Sequence, residues 1–466
     1  MTKPFPRLYA HRLISLACLI LTSCSPTYLN KEMSDPRVPL EERPVNTNPQ
    51  TESFLEPVST LASGEQPRAR AALSRPLSNN GYFVGVAISG GGSRSANFAA
   101  ACMFQLQRLG LLQKVQCISA VSGGAMTATY YCSAPDSEWN PQIVQDKLTH
   151  PFETDLIVDM LLPWNLVGLG LGTVNRTDAL ADGFATVLFD RNGRRLTFRD
   201  LRTDRPRLLL NCTDMQTGHP FIFDNSDFDQ INSDLNRYPL ANAVAASSAL
   251  PAILDPVTLR DYSTTFRQYA HLVDGGVCDN LGVQTLVNSY VAETQSPGNP
   301  YPNGAVLVII DAGVPINSRL GSEADLGGME NLLAGLNLSS AVLLNRASSA
   351  TLSEILVLNS MGSYTVAQLR DMIDTLHRDH YVRIKDRAGR FVHVVHLSLS
   401  QVGELSTMTF GDSVNSITTQ YDLPADDAYN LYRAADILFK HRFNALLKPL
   451  IEELNGHPPA TQTSPF

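Results

Sequence analysis

Charge is scarce in this chain, and an excess of basic residues is missing: 17% of its 466 residues are charged and the formal net charge is −9. That balance gives no global attraction to a polyanion, so no nucleic-acid partner is expected. Metal signatures are lacking as well. No H-E-x-x-H occurs, and Asp224-Asn-Ser-Asp227-Phe-Asp229 misses the glycine and terminal glutamate of an EF-hand. The acidic stretch reads as a solvated loop, and neither a metal nor another cofactor is expected. A nucleotide loop is excluded on similar grounds, since neither G-x-G-x-x-G nor the Gly-Lys-Ser/Thr end of a P-loop follows any glycine cluster. Cysteines number seven, an odd count spread through apolar stretches, which argues against a disulfide framework. No internal repeat is evident.

What the chain does have is 44% hydrophobic residues, ample for a large core, and three glycine-flanked polar motifs. Tyr82-Phe-Val-Gly-Val-Ala-Ile88 is an apolar, partly β-branched run of the kind that forms a buried strand. Gly90-Gly91-Gly92-Ser93-Arg94 follows, then an Ala-rich stretch, 95–109, with near-helical apolar spacing. Strand, glycine loop and helix bring free backbone N–H groups and a helix dipole together at an anion site. Residues 115–121 read as a second strand and 123–132 as a second helix, so Ser122 falls on the turn between them. Such an elbow needs small neighbours, as in G-x-S-x-G; here Ala120 replaces the first glycine and Gly124 keeps the second. Far downstream, Asp274-Gly275-Gly276 closes the apolar run Ala270-His-Leu-Val273.

These motifs resemble those of patatin-like phospholipases, which pair a G-G-G-x-R loop with a G-x-S-x-G elbow and a D-G-G/A base. The resemblance covers residues 80–315 and includes Cys212-Thr-Asp-Met-Gln-Thr-Gly218 before Phe221-Ile-Phe, and Ala245-Ala-Ser-Ser248-Ala-Leu-Pro251 ahead of Pro256-Val257. It implies a three-layer α/β/α domain with a central, mostly parallel sheet, and a lipid ester such as a phospholipid as substrate. It assigns the nucleophile to Ser122, the base to Asp274, and the oxyanion hole to Gly90, Gly91, Gly92 and Arg94, the last as a fixed charge or a buried brace.

The chemistry also follows from the residue types. A serine hydroxyl attacks an ester only when a base takes its proton. A free aspartate, with a pKa near ~3.9, is too weak a base until its surroundings tune it. Asp274 would accept the Ser122 proton and the loop amides would hold the tetrahedral oxyanion, each donor worth ~3–4 kcal/mol. Water then hydrolyses the acyl-enzyme. All of this requires residues 122 and 274 to meet. Two rival readings remain open. One is an α/β-hydrolase with a Ser-Asp-His triad, for which His377, His380, His393, His396 and His441 lie late enough; the flanks of these histidines and the early position of the elbow argue against it. His271 reads as a packed strand residue. The other is a vestigial lipid-binding lipoprotein, disfavoured by intact Ser122 and Asp274.

The N-terminus carries Lys3, Arg7 and Arg12, no acid before Glu32, and a short apolar core at 13–21. Leu21-Thr22-Ser23-Cys24 resembles a bacterial lipobox, with residues 1–23 as signal peptide and Cys24 as the lipidated first residue of the mature chain. Ser25 resembles the outer-membrane type, which implies an envelope location; loss of the three basic leader residues would take the charge to −12. Residues 24–79, polar and proline-bearing, read as a flexible tether. Residues 80–455 read as the catalytic domain with a C-terminal helical extension, amphipathic over 427–454, and 456–466 as a disordered tail. Residues 156–171, apolar but broken by Pro163 and glycines, read as lining an acyl pocket or touching lipid, or as internal packing. Arg191, Arg194, Arg195, Arg199, Arg202, Arg205 and Arg207 read as a solvated hairpin face, or else a patch facing lipid headgroups. Protein partners are not legible.

Overall fold

Along strand β1 (Tyr82–Ile88), successive side chains enter two different apolar layers. Tyr82, Val84, Val86 and Ile88 pack into one core cluster, while Phe83 and Ala87 pack into the other. A strand apolar on both faces must be covered on both faces, and it is. The computed structural model describes residues 29–33, 79–160, 175–251, 253–263, 267–295, 298–313 and 364–456. The expected signal peptide, Cys24, most of the tether, residues 161–171 of the broken apolar stretch and the tail from 457 lie outside the described residues.

The further strands are β2 (Cys117–Val121), β3 (Arg207–Asp214), β4 (Pro220–Phe223), β5 (Val257–Arg260), β6 (Tyr269–Asp274), β7 (Gly304–Asp311), β8 (Tyr381–Lys385) and β9 (Phe391–Ser398). They form one sheet along the path β8-β9-β7-β1-β2-β3-β6-β5, with β4 paired to β3 off that path. From β9 through β3 the pairs are parallel. The pairs at the two ends are antiparallel. The helices used below are α1 (Gly92–Arg108), α2 (Ser122–Ser133), α3 (Phe152–Met160), α4 (Arg176–Leu188), α5 (Leu240–Ser247), α6 (Val283–Gln295), α7 (Val366–Asp379), α8 (Met408–Asn415), α9 (Ala425–Leu438) and α10 (Asn444–Leu454). Apolar residues of α1, α2, α5 and α9 join the first core, those of α6 and α7 the second, giving three layers. The amphipathic C-terminus is two helices, α9 and α10, joined by a π-helical turn at Phe439–Phe443. No described helix is long and apolar enough to cross a membrane.

Register in the middle of the sheet does the positioning. Asn211 of β3 faces Val121 of β2 and Ile222 of β4; Cys212 faces Asp274 of β6 and Phe221 of β4. A strand residue has one neighbour on each edge, so β4 takes one edge of β3 and β2 and β6 share the other. Since β2 runs parallel to β3 and β6 antiparallel, their carboxyl ends meet head to head.

Two expectations need correction, those for the acidic stretch and for the tether. The acidic stretch is not a solvated loop: Asp224 caps a short helix, Asn225–Gln230, and Asp227 accepts the Ile222 amide at 2.6 Å. Burial, reinforced by the charge of Asp224, raises the Asp227 pKa. The arginine cluster does include a solvated hairpin, Asp190–Arg191 paired with the exposed Arg194–Arg195, and it is largely ion-paired, with Arg194 on Asp200, Arg195 on Asp182, Arg202 on Asp204 and Asp136, and Arg207 on Glu293. The tether is docked at residues 29–33. Asn30 is fully buried, and its amide accepts from the Arg260 N–H at 3.0 Å while donating to the Arg260 carbonyl at 2.7 Å. Tyr262 donates to the Asn30 carbonyl and Met33 to that of Asn232. Among the described residues, Cys102, Cys117, Cys132, Cys212 and Cys278 form no disulfide, and the first four are buried.

Candidate active site

Strand β2 delivers Ser122 as the first residue of α2, with φ at 50°, a left-handed conformation that a non-glycine residue adopts at a cost of about 1–3 kcal/mol. The helix that follows sits directly on the glycine loop. A Cβ on Gly123 would lie 1.9 Å from the Gly92 carbonyl oxygen, so only glycine permits this approach. The strained turn is held by its neighbours. The Ser122 N–H donates to Ser247 Oγ at 2.9 Å, and that hydroxyl donates onward to the Asn211 carbonyl at 2.6 Å. The Asn211 amide reaches back to Ser119 Oγ and the Ala120 carbonyl, each at 2.9 Å.

Asp274 arrives from the opposite direction at the end of β6. Its N–H donates to the Ala249 carbonyl at 2.9 Å, and Thr213 Oγ1 donates to its carbonyl at 2.9 Å. Its carboxylate accepts the Gly276 N–H at 2.7 Å, and the Ser122 side chain lies near enough to lower its pKa. The fold thus brings Ser122 and Asp274, remote in sequence, to neighbouring positions. Burial pushes the Asp274 carboxyl up to about 6, against the opposing pull of the Gly276 amide and the Ser122 side chain. A carboxylate in that range is a far better base near neutral pH than a solvated one.

The glycine loop divides its amides. Gly90 donates to the Asn280 carbonyl at 2.9 Å and Ser93 to the Gln420 carbonyl at 2.8 Å. Among the described residues the Gly91 and Gly92 amides have no acceptor, and both residues have positive φ, 134° and 58°. Gly123, in the first turn of α2, offers a third amide of the kind a helix start leaves unpaired. Two of the expected oxyanion residues therefore serve differently. The Gly90 N–H is spent within the fold. Arg94 is the buried brace: its Nε donates to the Ala312 carbonyl at 3.0 Å and its Nη1 to the Ile417 carbonyl at 2.8 Å. Burial lowers its pKa to about 10, countered by Asp311.

No histidine partners Ser122 or Asp274 among the described residues. His377 and His441 are exposed. His393 bonds Tyr381 at 2.9 Å, and His396 bonds Asp311 at 3.1 Å. His380 is buried at the end of α7, where desolvation lowers its pKa to about 3. His271 is packed on β6 and bonds Thr258 at 3.0 Å.

Sequence reasoning missed Ser247 and Asn211 as supports of the elbow, although Ser247 lies in a stretch singled out for its likeness. It also missed Tyr421, whose hydroxyl lies 3.4 Å from Ser122 Oγ. No local pattern marks a lone tyrosine in a polar connection.

Residues 86–287 match a family model described as patatin-like phospholipase. No curated protein sequence matches the chain. Among solved structures it is similar to human GIVD cytosolic phospholipase A2, at 13% identity and a TM-score of 0.47, over 81% of this chain and 61% of that one. It is also similar to VipD from Legionella pneumophila, at 15% identity and a TM-score of 0.32, over 81% of this chain and 67% of that one. The chain thus spans about three fifths of the human enzyme structure's length.

Proposed function

We propose that this chain, whose residues 86–287 match the patatin-like phospholipase family model, is a lipid-hydrolysing enzyme, a membrane-tethered serine acyl hydrolase of phospholipase A or lipid-esterase type working through a Ser122–Asp274 dyad. The observation that carries this reading is the buried Asp274 carboxyl, raised to about 6, with the Ser122 side chain close enough to act on its pKa. In the proposed cycle, Asp274 takes the Ser122 proton as the hydroxyl oxygen attacks the ester carbonyl. The Gly91 and Gly92 amides, joined by that of Gly123, donate to the oxyanion. Protonated Asp274 then gives its proton to the departing alcohol. Water, deprotonated by the same carboxylate, attacks the acyl-enzyme, releases the fatty acid and restores Ser122. Donors fixed in place before reaction stabilise the oxyanion without reorganising, and loss of one is worth ~3–4 kcal/mol.

The tether belongs to this reading. Acyl chains on Cys24 would anchor the domain to a leaflet of the cell envelope, as expected for an outer-membrane lipoprotein. Asn30 is docked into the domain, and Cys24 lies six residues before it in sequence, a separation of at most about 20 Å even for a fully extended chain. That length keeps the domain against the lipid rather than away from it.

A fluorophosphonate probe tests the chemistry. The wild-type chain should be labelled at Ser122 and release fatty acid from mixed phospholipid vesicles, and Ser122→Ala should do neither. A folded wild-type chain that is not labelled would favour a lipid-binding role instead.

A further inference from the structure

We propose that Tyr421 is a third catalytic residue, its hydroxyl donating a hydrogen bond to the leaving-group oxygen as the ester is cleaved at Ser122; this rests on the acyl-hydrolase reading above. The tyrosine comes from the connection between α8 and α9, residues 416–424, which lies across the site as a strap. Hydrogen bonds, backbone packing and a ring contact hold the strap there, and each reaches an element of the catalytic apparatus or its wall. Ile417 and Gln420 accept, through their carbonyls, from Arg94 and from the Ser93 amide, both at 2.8 Å. The Gln420 carbonyl oxygen sits 2.3 Å from where a Cβ on Gly92 would be, so the strap backbone rests directly on the glycine loop. The Tyr421 amide donates to Glu153 Oε2 at 3.2 Å. Asp422 accepts from the amides of Glu153 and Thr154 at the start of α3, at 2.8 and 3.2 Å. The Tyr421 ring meets Phe184 of α4 at 5.9 Å.

So held, the Tyr421 hydroxyl is 3.4 Å from Ser122 Oγ and 3.4 Å from the Ser248 carbonyl. Both separations are long for O–H···O bonds, as catalytic contacts often are before substrate tightens them. Burial first, then the nearby Asp274 charge, raises the Tyr421 pKa, so the hydroxyl stays a donor across the working range. Its proton has a resting acceptor, the Ser248 carbonyl. When an ester reaches Ser122, the bond that breaks joins the acyl carbon to the alcohol oxygen. The glycine amides are committed to the carbonyl oxygen, which leaves the alcohol oxygen without a fixed donor. Tyr421 fills that gap. Asp274 still delivers the proton, so Tyr421 lends a hydrogen bond and neither gains nor loses a proton overall.

The test compares wild type and Tyr421→Phe on two acyl esters of the same fatty acid, one with a p-nitrophenolate leaving group and one with a simple alkoxide. Help to the departing oxygen matters most for the poor leaving group, so kcat on the alkyl ester should fall about tenfold to hundredfold further than kcat on the activated ester. KM should move little, and the melting temperature reports folding. Equal losses on both esters, or no loss on either, overturn the proposal. Fluorophosphonate labelling of wild type separates the two levels: absence of labelling sinks the acyl-hydrolase reading itself, whereas normal labelling with equal ester losses sinks only the role of Tyr421. A Tyr421→Phe variant that melts much lower is compared with Phe184→Leu, which loosens the same packing and keeps the hydroxyl. If Phe184→Leu reproduces the leaving-group selectivity, the effect is packing and the proposal falls.

Discussion

Val121 and Asp274 stand opposite consecutive residues of one strand, Asn211 and Cys212, on the same edge. That register is what brings a serine and an aspartate remote in sequence to one point. Both residues end their strands there: one chain turns into α2 through a left-handed Ser122, the other into the Gly275-Gly276 turn. Gly275 is wedged against β3, where an added Cβ would come within 2.3 Å of the Asn211 carbonyl oxygen. Asn211 therefore braces the nucleophile strand with its side chain and the base turn with its backbone.

The first prediction concerns pH. Asp274 must be ionised to take the Ser122 proton, and burial raises its pKa to about 6. kcat/KM should therefore rise through pH 6 and level off above it, with a single acid limb and no contribution from histidine. Replacing His380, His393 and His396 one at a time should leave the position of that limb unchanged. A limb that moved with one of them would make the triad reading correct.

The same group predicts a stability change of definite sign. The folded-state pKa of Asp274 lies above its unfolded value, so ionisation opposes folding. The penalty is absent below the unfolded pKa and complete above about 6, where a shift of this size is worth roughly 3 kcal/mol at most. Asp274→Asn should abolish turnover yet raise the melting temperature at pH 8, and the gain should vanish at pH 3.5. Thermal scans at the two pH values check it; destabilisation at pH 8 would mean that the carboxylate is held by more than burial allows.

Much of this arrangement was legible in the chain, and the parts that were not share a cause. β1 and the helix after it could be read because a strand apolar on both faces and a glycine-led helix leave local patterns. Ser122 and Asp274 could be read because glycines flank tight approaches. Arg94 was ambiguous because its partners, the Ala312 and Ile417 carbonyls, are backbone atoms from remote segments. Asp227 looked solvated because its polarity is local and its burial is tertiary. Tyr421 left no signal, since a strap is defined by what it crosses.

Ser247 carries a further prediction. Its hydroxyl takes the Ser122 amide, and its carbonyl takes the Gly275 amide at 3.3 Å, so one residue ties the nucleophile turn to the base turn. Ser247→Ala would leave the Ser122 N–H buried without an acceptor, a cost of about 1–3 kcal/mol. The expected result is a lower kcat with little change in KM and slower fluorophosphonate labelling, partly recovered in Ser247→Thr, which restores the hydroxyl. A variant destabilised by that amount but turning over normally would show that the contact serves folding only.

The last prediction separates steric from conformational demands on glycine. Gly123 has no positive φ, but an added methyl would strike the Gly92 carbonyl, and neither backbone can yield without moving the loop that holds the free amides. Gly110, by contrast, has φ of 75° with nothing within 4 Å of an added Cβ. Gly110→Ala should cost only the left-handed preference, about 1–2 kcal/mol, and leave kcat unchanged. Gly123→Ala should remove turnover, either by displacing the Gly91–Gly92 loop or by preventing folding. Circular dichroism with fluorophosphonate labelling distinguishes these: a folded Gly123→Ala chain still labelled at the wild-type rate would mean that the elbow and the glycine loop do not need to touch.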